Sequence, residues 1–204
     1  MLIWLQTYAP ALNVGLNALM LVVWLAYLHL FYSSFRRANR AVIHIGMAAQ
    51  QGQDARCLVT NMGSDTVYVL AIKVDLVCGD RTVSALVTDR LEKDEVLGGD
   101  FRERTNQGPL AGGEALDIGS FRNILKRVSH QQEGVPDIET CEALEITVVV
   151  AAQQANRLMG GTKRYELTRL GMGIQFHPAE VLTRQITSRR RRAELHQLIT
   201  QRAG

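Results

Sequence analysis

The sequence predicts a mainly β domain held behind a single N-terminal transmembrane helix, and three observations carry that reading. No Asp, Glu, Lys or Arg occurs before Arg36. From Ala41 onward the apolar residues recur at every second position, the period of a half-buried strand. The chain then closes on residues 178–204, which include four consecutive arginines, Arg189–Arg192. The expected organisation is an anchor with a basic juxtamembrane segment over 1–40, a β-sandwich of about seven strands with one inserted helix over 41–177, and a basic C-terminal helix over 178–204.

The anchor comes first. Val14 to Tyr32 holds no formal charge, and a helix of that length crosses a hydrocarbon core of roughly 30 Å at about 1.5 Å per residue. Ten of its residues are Leu, Val or Phe, which together favour insertion by roughly 3–6 kcal/mol before Asn17 and His29 are set against them. Trp4, Tyr8, Phe31 and Tyr32 suit interfacial anchors, and Pro10 suits a first helical turn. A secretion signal would carry a basic n-region and a small-residue cleavage site. Here Met1–Gln6 has no basic residue, and the run ends in Phe31-Tyr32-Ser33-Ser34-Phe35. Arg36, Arg37 and Arg40 follow at once, so the positive-inside bias puts the amino end outside and the domain in the cytoplasm. Asn13 and Asn17 share a helix face, with Ala11, Gly15 and Ala18 as a small-residue strip beside them. Asn13, Gly15, Asn17 and Ala18 are therefore the expected face for a partner helix or a second copy.

The domain reads as strands at Ala41–Met47, Ala55–Asn61, Leu70–Leu76, Thr82–Thr88, Glu114–Ile118, around Leu144–Val150 and at Lys163–Arg169. In the third, Leu70, Ile72, Val74 and Leu76 are placed on one face. Gly79-Asp80 joins the third and fourth as a hairpin, and Gly160-Gly161 is read as a break before the seventh. One helix is signalled by Phe121, Ile124, Leu125 and Val128 at i, i+3, i+4 and i+7. Ser120 is its N-cap, and Arg122, Lys126 and Arg127 point outward. The polar segment Asp89–Gly113 is read as a long surface loop, and loops of that length are often functional.

The stretch "CLVTNMGSDTVYVLAIKVDL", Cys57–Leu76, followed by "GPLAGGEALDI", Gly108–Ile118, resembles the immunoglobulin-like modules of bacterial surface and membrane proteins. Asn61-Met62-Gly63 matches their Asn-x-Gly turn. Ala111-Gly112-Gly113-Glu114 matches their Pro-Gly-Glu turn loosely, with the proline displaced to Pro109. The domain has no tryptophan, so the Cys–Trp core of antibody domains is absent. The whole arrangement is similar to small single-span proteins of the bacterial inner membrane of unassigned role. That resemblance implies a fold and a location and transfers no active site.

Charge and chemistry point the same way. Residues 36–178 carry 17 basic and 18 acidic side chains, and residues 179–204 carry 6 and 2. The positive excess therefore sits in the tail, which argues against a broadly basic nucleic-acid-binding fold. Cys57, Cys78 and Cys141 are widely spaced and read as free thiols packed in a reducing compartment. The histidines are scattered without a metal-binding spacing, and no phosphate loop, nucleophile elbow or dinucleotide fingerprint occurs. No catalytic residue, cofactor or metal is expected.

The tail is read as a helix with Pro178 at N1. Its arginines Arg189, Arg190, Arg191 and Arg192 are solvated, in contact with anionic lipid headgroups, or docked on an acidic partner or nucleic acid. Arg36, Arg37, Arg40 and these four form the expected topology-setting and lipid-facing basic set. The functional expectation is a non-enzymatic accessory or scaffolding subunit in the plasma membrane. Its partners are the bilayer and other integral-membrane subunits or a second copy, and no nucleic acid is expected. The alternative is a cytoplasm-facing sensor that binds a ligand in the Asp89–Gly113 segment.

Overall fold

The computed structural model describes residues 2–38, 41–48, 54–88, 105–131, 138–152, 155–170 and 173–202. They fall into two compact units, Met1–Arg40 and Ala41–Gly204. The first is one helix, α1 (Leu2–Ala38). Its stretch Tyr8–Phe35, 28 residues, is apolar enough to span a membrane, and none of it is buried. At about 1.5 Å per residue it is roughly 40 Å long, more than a hydrocarbon core requires. Pro10 lies inside this helix, not in its first turn as expected. Eight residues of helix precede it, so the ring both removes the N–H that would have met the Gln6 carbonyl and crowds that carbonyl. Membrane helices tolerate that loss better than most.

The second unit contains ten strands and two helices among the described residues. The strands are β1 (Ile43–Ala48), β2 (Arg56–Asn61), β3 (Val67–Cys78), β4 (Arg81–Leu86), β5 (Gly108–Leu110) and β6 (Ala115–Ser120), then β7 (Ala143–Ala152), β8 (Ala155–Leu170), β9 (Gly173–Pro178) and β10 (Arg184–Gln185). The helices are α2 (Phe121–Gln131) and α3 (Arg189–Arg202). A three-stranded sheet has the order β1-β2-β6. A seven-stranded sheet runs β10-β8-β7-β3-β4, with β5 also on β3 and β9 also on β8. Every pairing is antiparallel. Short antiparallel neighbours follow from the turn punctuation: Gly79 takes φ 59° between β3 and β4, a conformation glycine adopts without a Cβ penalty.

The two sheets share one core. Ile43, Ile45, Cys57, Val59 and Ile118 come from the small sheet; Val67, Val69, Ile72, Val74, Leu76, Leu144, Ile146, Val148, Val150 and Tyr165 come from the large one. Each such aliphatic side chain contributes roughly 1.5–3 kcal/mol on leaving water. Phe121 of α2 stacks on Phe176 of β9 with centroids 4.5 Å apart and meets Tyr165 edge-on at 4.9 Å. The helix therefore plugs the core rather than lying on its surface.

The alternation expected for β3 changes phase within the strand. A bulge between Val69 and Ala71 shifts the register against β7. Val67 and Val69 are buried before it and Ile72, Val74 and Leu76 after it, while Leu70 is only half-buried. Leu70 therefore does not share the core face as expected, because one extra residue moves it off that phase. Gly160-Gly161 is likewise no break: β8 runs straight through it. A Cβ on Gly160 would lie 2.0 Å from the Val148 carbonyl oxygen, and one on Gly161 would lie 2.6 Å from Thr183 Cγ2. Gly160 marks close backbone approach, the other meaning of glycine in a strand, and Gly161 makes room for a side chain.

Three further expectations are corrected. Part of the presumed Asp89–Gly113 loop is strand β5, which pairs with Val67–Val69; residues 89–104 lie outside the described residues. The tail helix opens at Arg189, and Pro178 instead ends β9 opposite Tyr165, where a residue without an N–H stops a ladder. Arg127, expected outward, is buried.

Both open flanks of the sandwich are closed by side chains. On one flank, Arg127 of α2 donates to the carbonyls of Val87 at 2.8 Å and Ile118 at 2.5 Å. On the other, Thr183 Oγ1 accepts from the Ile45 N–H at 2.8 Å. Gln185 accepts from the Ile43 N–H at 3.1 Å and donates to the Ile43 carbonyl at 2.7 Å. β10 thus bonds to β8 through its backbone, while its Gln185 and the preceding Thr183 bond to the edge of β1. Left open, that edge would be a template for pairing with another chain.

Candidate functional site

The outer face of the seven-stranded sheet carries a polar groove of about 710 Å³, lined by β3, β4, β7 and β8 and by the segment leading into α3. Strand alternation builds it, since residues of β3 that do not face the core must face outward. Lys73 and Asp75 are such residues, and they form an ion pair at 2.7 Å with both side chains largely buried. Ser84 of β4, directly opposite Asp75, also donates to its carboxylate. On the other side Asp75 stands opposite Glu145 of β7. Two carboxylates so placed repel, and the neighbouring cations offset this. Lys73 answers Asp75, and Arg191 of α3 reaches Glu145 at 3.5 Å. Thr147 and Thr162 share a buried hydroxyl–hydroxyl bond at 3.1 Å on the same face.

α3 is therefore folded onto the sheet. Ser188 caps its first turn by accepting from the Arg191 N–H at 3.1 Å, and Leu195 is buried. The four arginines divide accordingly. Arg191 turns to the sheet, and Arg192 folds back to the Thr187 carbonyl at 2.6 Å. Arg190 pairs with Glu194 at 3.2 Å yet keeps 93% of its side chain exposed, and Arg189 is exposed. Of the remaining basic set, Arg36 and Arg37 end α1, while Arg40 lies outside the described residues. Asn13, Gly15, Asn17 and Ala18 are all exposed on α1. Nothing lies within 4 Å of a Cβ built on Gly15, so another helix could approach closely there.

A second group of ionisable residues lies in the core and at its margin. Burial pushes the Cys57 thiol up to about 12, with the Asp117 charge adding to it. Burial likewise raises the Tyr165 phenol, whose hydroxyl has no hydrogen-bond partner among the described residues. The Lys163 ammonium, held to the Val181 carbonyl at 3.0 Å, lies below its ordinary range because of desolvation. Desolvation also lowers His44, with the Lys163 charge adding to it. Cys57 and Tyr165 are fully buried, where neutral forms are favoured, whereas His44 is only half-buried.

The cysteines overturn one expectation. Cys57 is free and buried, as the sequence suggested, but Cys78 and Cys141 form a disulfide across 63 residues. Pairing in the fold, invisible in the spacing, brings the end of β3 beside the turn that enters β7. Among the described residues no cluster of three His, Cys, Asp or Glu residues is placed to hold a metal ion. The groove residues Lys73, Asp75, Ser84 and Glu145 were not singled out by sequence. The available signal was the alternation that puts Lys73 and Asp75 on one strand face; their partners on β4 and β7 required the register.

Comparison with known protein families, curated proteins and solved structures finds no match to this chain. What fold and site define is a mainly β protein of two sheets behind a long apolar N-terminal helix, with a basic helix folded back on its sheet.

Proposed function

We propose that this protein is a non-enzymatic, membrane-anchored accessory subunit that makes protein contacts through α1 and through an immunoglobulin-like cytoplasmic sandwich. The observation that carries the reading is α1 itself: a 28-residue apolar surface with no residue buried needs lipid and partner helices for cover. The face bearing Asn13, Gly15, Asn17 and Ala18 is where a partner fits, since small residues allow close approach and amides bond across helices. The juxtamembrane arginines support a domain on the cytoplasmic side of a bacterial plasma membrane. The Cys78–Cys141 disulfide favours the opposite side, because such bonds persist in oxidising compartments. The arginines outweigh it, since neighbouring thiols also oxidise reversibly in reducing ones.

Purification in mild detergent tests the reading. Integral-membrane proteins should co-purify with the wild type and be lost from Gly15→Leu, with membrane retention unchanged. An unaltered co-purification profile overturns the assigned face, and a lone monomer in both samples overturns the subunit reading. Orientation is read separately with Val181→Cys, whose parent side chain is 84% exposed. A membrane-impermeant maleimide should leave it unlabelled in intact cells.

The polar groove favours a second reading, a sensor of a small polar ligand. The groove is an alternative location to the Asp89–Gly113 segment, most of which lies outside the described residues. A ligand-dependent rise in melting temperature, lost in Asp75→Asn, would support it.

A further inference from the structure

Three cysteines in one domain meet three different surroundings. Cys57 is completely inaccessible and its thiol resists ionisation, so it is inert. Cys78 and Cys141 are bonded to each other and keep 8% and 5% exposure. They sit among exposed residues: Gly79 and Asp80 follow the first, and Thr140 and Glu142 flank the second. Exposed Arg81 stands directly opposite Cys78 across the β3–β4 hairpin. The backbone around the pair is secured without the sulfur bridge. The Glu142 N–H donates to the Val77 carbonyl at 2.8 Å, and the Leu167 N–H to the Glu142 carbonyl at 2.9 Å. β3, β7 and β8 therefore stay in register whether the bond is closed or open.

From this geometry we propose that Cys78 and Cys141 are a reversible redox modification site that exchanges with a low-molecular-weight disulfide. The inference rests on the cytoplasmic orientation proposed above, for on the oxidising side the same bond would be a permanent staple. In the closing reaction the Cys78 thiolate attacks one sulfur of RSSR, forming a mixed disulfide and expelling RS⁻. The Cys141 thiolate then attacks the Cys78 sulfur, closing the intramolecular bond and expelling the second RS⁻. The protein dithiol is oxidised by two electrons, RSSR is reduced to two RSH, and the two thiol protons end on them. Opening is the reverse, driven by excess RSH. Closure ties the β3–β4 turn to the short 3₁₀ segment Ile138–Thr140 and closes a loop that contains α2. Opening releases that tether and leaves the core intact.

The test uses the full-length chain in intact cells, trapped with N-ethylmaleimide and read by mass. Unstressed cells should yield both Cys78 and Cys141 alkylated. Brief treatment with diamide, which raises the cellular glutathione disulfide, should remove the two labels together, and recovery should restore them. In purified protein, glutathione disulfide alone should produce the same paired loss. Reduction should speed amide exchange at 138–141 while 144–150 stays protected. A pair that never loses its labels overturns the proposal. So does one that stays oxidised under all conditions while Val181→Cys is shielded from the impermeant maleimide. A permanently oxidised pair together with a labelled Val181→Cys shows instead that the orientation has failed, and the switch with it.

Discussion

Arg127 and Val87, forty residues apart, are joined by a 2.8 Å bond from guanidinium to carbonyl. A second bond from the same guanidinium reaches Ile118. One side chain thereby fastens α2, the strand region after β4 and the strand β6. Arg127→Met should cost about 3 kcal/mol, because buried carbonyls lose their donor. Arg127→Lys should recover only part of this, since an ammonium lacks the planar fork. Urea unfolding of both variants checks the order.

Asn61 is fully buried and uses its whole side chain. Its amide donates to the carbonyls of Asp65 at 2.8 Å and Leu110 at 3.1 Å, and its oxygen accepts from the Gly63 N–H at 3.0 Å. Asn61→Ala should destabilise the domain by about 2–4 kcal/mol. Asn61→Asp should be at least as costly, because an ionised carboxylate cannot donate to two carbonyls. Thermal denaturation of the pair measures this.

Tyr165 offers the opposite case. Its ring packs against Phe121, but its buried hydroxyl has no partner among the described residues. Tyr165→Phe removes a desolvated donor and keeps the ring, so it should stabilise the domain by about 1 kcal/mol. A lowered melting temperature would show that the hydroxyl is bonded.

His44 predicts a pH dependence. Desolvation and the Lys163 charge hold its pKa in the folded chain below the ordinary 6.5. Between the folded value and 6.5 the unfolded chain binds the proton and the folded one does not. This contribution to stability is therefore complete above pH 6.5 and declines as pH falls through that window. His44→Gln should flatten the slope in stability measured between pH 7 and pH 5.

Much of this architecture could be read from residue order alone. The stripe Phe121, Ile124, Leu125 and Val128 is buried throughout, because a 3.6-residue period admits one inward face. Leu144, Ile146, Val148 and Val150 are buried on the same logic at period two. The misreadings arose where tertiary contact reverses a local rule. Arg127 carries a charge into the interior because backbone acceptors wait there. Gly160 and Gly161 continue a strand because the Val148 backbone and the Thr183 side chain leave no room for a Cβ. The groove was least legible, since Asp75, Glu145 and Ser84 meet only through register across three strands.

The hydrogen bonds from Thr183 and Gln185 to β1 give the last twenty-two residues a protective duty. A chain cut short before Thr183 would keep its hydrophobic interior yet bare the main-chain donors of Ile43 and Ile45. Such a truncated product should fold and then stack into insoluble ribbons, so proteolytic loss of the tail would convert a dispersed protein into a self-propagating one.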